Sequence, residues 1–100
     1  MDRTSIAKAK ELRGEIIRQL YICYGTPTPI SSINTLLRYK NYYSKDDIQK
    51  AIQYLAGAKK EFVEATADEP DGDVAFVNLT PTGINLAEGD ISDMGVLLNG

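Results

Sequence analysis

Val77-Asn78-Leu79-Thr80-Pro81-Thr82-Gly83-Ile84-Asn85-Leu86-Ala87 changes its backbone period part-way through. Its start belongs to Val74–Leu79, a Val- and Phe-containing run suited to a strand. Thr80 then offers a hydroxyl as a helix N-cap, and Pro81 supplies the fixed φ of a first helical position. Gly89 ends the short helix that follows. A strand therefore hands over to a helix with no loop between them. One step upstream, Glu61–Thr66 is a second extended run. The two runs are joined by Ala67-Asp68-Glu69-Pro70-Asp71-Gly72-Asp73, where Asp-Gly is a turn dipeptide. This pattern predicts a hairpin with a long tip.

Before the hairpin the period is helical. Ser44-Lys45-Asp46-Asp47 is a capping-box pattern, with Ser44 as N-cap. Ile48, Ala51, Ile52 and Leu55 then form one buried face, and Gly57 suits the C-terminal cap. Further upstream, Ser31 or Ser32 caps a shorter helix ending near Tyr39, with Ile33, Leu36 and Leu37 inward. Gly25-Thr26-Pro27-Thr28-Pro29 separates it from a first helix over residues 5–24. Thr4 or Ser5 caps that first helix. Its apolar stripe is Ile6, Ala9, Leu12, Ile16, Leu20 and Cys23. Cys23 thus reads as a small buried hydrophobe. Gly14 reads as a tolerated weak point, about 1 kcal/mol less helical than Ala, with a close helix crossing as the alternative. Asp90–Gly100 has no period, yet it carries Ile91, Met94, Val96, Leu97 and Leu98.

The chain of 100 residues suits one domain, residues 1–90, with 91–100 as a tail. The tail's apolar residues either pack on the first helix or exchange with a second subunit. No apolar run is long enough for a membrane span. The N-terminus lacks the apolar core of a secretion signal, and the single Cys fits a reducing compartment, so the location expected is cytoplasmic. There is no His and one Cys. That excludes a thiolate–imidazole metal site and a His-activated nucleophile. No phosphate-binding glycine loop is present. The reading is of a protein that is not an enzyme and needs no cofactor.

Three helices, a hairpin and a trailing helix form the layout of an α+β winged helix-turn-helix. The third helix would be the recognition helix and the hairpin tip the wing. Leu79 to Ala87 resembles the Leu-Thr-x-x-Gly-x-x-Leu/Ala exit of many bacterial winged-helix regulators. Leu79-Thr80-x-x-Gly83-x-x-x-Ala87-x-Gly89, followed by Gly95-Val96, also resembles small winged-helix proteins of Mu-like phages and prophages. In that group basic residues and proline usually follow, whereas Leu97-Leu98-Asn99-Gly100 stands here. The resemblance implies a fold and a phage setting more than an activity.

The charge is divided. All eleven Lys and Arg lie in residues 1–60 with five acids, whereas residues 61–100 hold nine acids and no base. A basic head can sit on phosphates, and an acidic wing is repelled by them. The candidate DNA contacts are Lys45, Gln49, Lys50 and Gln53 on the third helix, the residue types that reach base edges. Arg38, Lys40, Tyr42 and Tyr43, at the turn before it, suit phosphate contacts. The same tyrosines also suit a role as rim residues of the core. Two functions follow. The first is regulatory binding of double-stranded DNA, with a homodimer matching two half-sites. The second is a protein-interaction module in phage development or assembly. It would use the acidic wing against a basic partner, together with the apolar tail.

Overall fold

The computed structural model describes the backbone of residues 3–23, 26–41, 43–67 and 74–98, and the side chains of 5–23, 26–38, 43–66 and 76–98. The fold is α+β. In chain order the elements are α1 (Arg3–Ile22), β1 (Thr28–Pro29), α2 (Ile30–Asn41), α3 (Lys45–Leu55), β2 (Val63–Ala67), β3 (Val74–Leu79) and α4 (Pro81–Glu88). The three strands form one antiparallel sheet in the order β1-β3-β2.

The local signals at the start of α3 and at both ends of α4 act as expected. Ser44 Oγ accepts from the Asp47 N–H at 3.0 Å, starting α3. Ile48, Ala51, Ile52 and Leu55 are its buried residues. Thr80 Oγ1 accepts from the Gly83 N–H at 3.1 Å, Pro81 follows it, and Gly89 closes α4 with φ 85°. The hydroxyl of Thr80 also donates to the carbonyl of Glu61 or Phe62, and the Thr80 N–H donates to Phe62 O at 3.1 Å. Thr80 therefore caps a helix and ties it to the start of the hairpin. Gly83 is needed for the same reason. A Cβ there would overlap the Phe62 carbonyl oxygen and come within 2.7 Å of Leu79 Cδ1.

Other expectations are corrected. Gly57 is not the cap of α3: Ala56 fills that place, and the left-handed residue nearby is Glu61, at φ 53°. Thr4 and Ser5 lie inside the first turn of α1, and Ser31 and Ser32 inside that of α2. The helix α2 runs on to Asn41 rather than Tyr39, and Leu36 is exposed rather than inward. Thr28-Pro29, read as part of a helix-breaking loop, is a strand paired with Val77 and Phe76 of β3. Pro29 lacks a donor, but an edge strand tolerates that.

The largest correction is in α1. Its buried residues are Leu12, Ile16, Ile17 and Leu20. Ile17 was not on the expected stripe. Ile6 is 41 % exposed and Cys23 is exposed, although both were. The helix packs against α3, α4 and β3 together, so its covered face is wider than one stripe and shorter than its full length.

Residues 90–98 pack on the first helix of their own chain. They fold back along α1, where the Leu97 N–H donates to Lys10 O at 3.1 Å and Val96 is buried. Gly14 is the point of closest approach. A Cβ there would lie 2.8 Å from the Leu97 carbonyl carbon and nearer still to its oxygen. Gly14 is therefore a packing requirement rather than a tolerated weakness. The tail is covered by its own chain, which leaves Ile91, Met94 and Leu97 as its outward apolar side chains.

Candidate nucleic-acid interface

Burial of Ile48, Ile52 and Leu55 turns the opposite side of α3 to solvent. Lys50 and Gln53 are exposed there, Gln49 is half-buried, and Lys45 is exposed in the first turn, beside the Ile48 side. Arg38 is exposed on α2. The side chain of Lys40, and Tyr42 as a whole, lie outside the described residues. So does the hairpin tip with Asp68, Glu69, Asp71 and Asp73. Tyr43 is 8 % exposed and belongs to the core. Of the two compatible roles read for the tyrosines, the packing role is seen in its ring. Burial raises its hydroxyl above the usual tyrosine range, and Glu11 and Glu15 add to that. It is a neutral phenol at ordinary pH.

The described cations divide into those already engaged and those not. Lys50 Nζ lies 3.2 Å from Asp46 Oδ2, with both side chains more than two-thirds exposed. An exposed i,i+4 pair of this kind is worth roughly 0.3–0.5 kcal/mol, so a phosphate can displace it. Arg18 approaches Glu15 at 3.9 Å. Lys60 is held by Asp93. Among the described residues, Arg38, Lys45 and Lys59 make no ion pair. The surface of α3 and the end of α2 thus carries uncommitted positive charge, with Asp46 as its internal opponent.

A second polar cluster was not foreseen from the sequence. Asp93 accepts from Lys60 Nζ at 2.6 Å, Tyr54 Oη at 2.9 Å and the Gly95 N–H at 2.7 Å. Arg13 stacks over the Tyr54 ring at 3.9 Å and donates to Gly95 O at 3.0 Å. These contacts fasten the tail to α1 and α3. No local signal joins residues 13, 54, 60 and 93, because only the fold brings them together. Their one trace in the sequence is that Lys60, Asp93 and Arg13 are charges adjoining apolar stretches.

The cluster makes a prediction about acid. Burial alone would raise the Asp93 carboxyl, but Lys60, the Gly95 N–H and Tyr54 outweigh it and hold it below the usual carboxylate value. A depressed folded pKa contributes stability above the unfolded value and loses it as pH falls through the folded one. Stability should therefore decline below about pH 4. In Asp93→Asn that part of the decline should vanish, in urea midpoints measured from pH 6 down to about 2.5. An unchanged acid slope would show that Asp93 does not hold the tail. Lys60 is shifted upward, first by its hydrogen bonds to Asp93 and Tyr54, so its contribution stands below the usual lysine value and goes in strong alkali.

Among the described residues there is no group of three metal-ligating side chains, and no helix is long and apolar enough to cross a membrane. No family model, curated protein or solved structure matches the chain.

Proposed function

We propose that this protein is a small winged-helix DNA-binding regulator that contacts the duplex through α3. The observation that carries the reading is the two-sided character of α3. One side is locked into the core by Ile48, Ile52 and Leu55, while the other presents Lys50 and Gln53 to solvent, with Lys45 exposed in the first turn. A recognition helix needs that combination of rigid mounting and exposed polar reach. The element order and the sheet order β1-β3-β2 support the winged-helix reading. The phage-type setting rests only on the pattern in residues 79–96.

In this reading Arg38 and Lys45 sit on phosphates, and Lys50 and Gln53 face the groove. Asp46 opposes backbone contact and sets a modest affinity. The acidic half stays clear of the duplex. A protein-interaction module is the second reading. It is favoured by Glu64, exposed on β2, and by Met94, which is 93 % exposed.

Salt separates the two. Anisotropy of a labelled random duplex should show binding at low salt that weakens with a log–log slope of several units. Lys50→Glu should lower the affinity at least about tenfold and reduce the slope by about 1. Its fold should be intact, because the side chain is 72 % exposed. Affinity that survives this change would remove α3 from the interface. Absence of binding at low salt would direct attention to a basic protein partner.

A further inference from the structure

A groove of about 440 Å³ opens between α1 and the first turns of α3. It shares Lys50 with the DNA reading, which uses none of its other lining residues. Its size falls in the range that takes a small molecule. Its chemistry is mixed in a definite way. Lys8 and Arg13 line it from α1, and Lys50 lines it from α3. The floor is apolar, with Leu12, Tyr43 and Ala51, each less than a tenth exposed. Asp47 is the acid in the lining.

We propose that this groove binds a small amphipathic anion, an organic acid with an apolar or aromatic body. The charges in the lining sum to excess positive, which calls for an acidic group. The floor calls for a body that leaves water, since burying apolar surface is favourable. Asp47 stands where a hydroxyl or amine of the ligand would donate. The wall combines two exchangeable lysines with one fixed guanidinium. The Lys50–Asp46 pair is exposed and easily exchanged. Arg13 is held on the Tyr54 ring and by Gly95 O, so it adds fixed positive charge to the wall rather than a free donor. Lys8 Nζ lies 6.0 Å from the centre of the Tyr43 ring, above the floor rather than tied to a carboxylate. A DNA phosphate suits this groove less well, because it has no apolar body to set on Leu12 and Tyr43.

The site shares Lys50 with the DNA reading but needs no DNA, and its test reads the location directly in the absence of DNA. The ¹⁵N-labelled full chain is titrated with 8-anilino-1-naphthalenesulfonate and followed by two-dimensional amide spectra. Saturable shifts are expected at residues 8–13 and 43–51. Lys8→Gln and Lys50→Gln, both at exposed side chains, should each weaken binding by about fivefold, the factor one screened charge contact supplies. The neutral analogue N-phenyl-1-naphthylamine should bind more weakly. The proposal is overturned if the shifts gather at the exposed side chains of Ile22 and Met94 instead. It is also overturned if either glutamine variant binds as the parent does, or if the neutral analogue binds equally well. Equal affinity for inorganic phosphate would show a plain phosphate contact with no role for the apolar floor, and would overturn it too.

Discussion

Gly83→Ala is expected to destabilise the protein by roughly 2–3 kcal/mol, a large loss for the addition of one methyl group. The new Cβ would overlap the Phe62 carbonyl oxygen and press on Leu79 Cδ1 at 2.7 Å. Neither neighbour can retreat cheaply. Phe62 O already accepts from the Thr80 N–H, and Leu79 is a buried core residue. Moving α4 away from β2 would pull Thr80 from Glu61 and Phe62 and open the side of the core that holds Leu86. Alanine's better helix propensity returns at most about 1 kcal/mol, so the clash prevails. Urea unfolding measures the difference directly. A neutral or stabilised Gly83→Ala would mean that α4 does not approach the hairpin this closely.

The second large effect concerns the tail. Gly14→Ala places a Cβ against the Leu97 carbonyl. The helix itself gains about 1 kcal/mol from the change. Against that gain, the tail must shift. It would weaken the Leu97–Lys10 and Arg13–Gly95 hydrogen bonds and uncover Val96. Two hydrogen bonds and one buried valine together exceed the helix gain, so a net loss of about 1–2 kcal/mol is expected. Hydrogen exchange at Val96 and Leu97 should accelerate well beyond the global change. The sign should reverse in a chain truncated after Ser92, where Gly14→Ala meets nothing and becomes stabilising. If the substitution destabilised both forms alike, the tail would not be the cause.

These two glycines show how far the sequence could be read. Gly83 belongs to a local pattern in which strand, cap, proline and helix succeed each other within a few residues. Its helix was legible, but the reason for its missing side chain was not. Gly14, a glycine inside a helix, hinted at a close approach, but its partner lies more than eighty residues away and had no local sign. The candidate interface divides in the same way. Lys45, Lys50 and Gln53 follow from the period of α3 and the Ser44 cap. Tyr43 does not. It stands beside a helix start among basic residues, and only the packing of α1, which carries Leu12 and Ile16, against α3 turns it inward.

Local chemistry, written in the sequence, determined the division into helices and a hairpin, the start of α3, the closure of α4 and the split of charge between the two parts of the chain. Caps, prolines and periods act over a few residues, and no distant partner competes with them. The tertiary structure alone decided which face of α1 is covered, that Thr28-Pro29 completes the sheet, and that the tail is held by Arg13, Tyr54, Lys60 and Asp93. Each of these depends on surfaces far apart in the chain meeting in space. A helix's period shows that it has a buried side, but neighbours packed across it decide how wide that side is and where it ends.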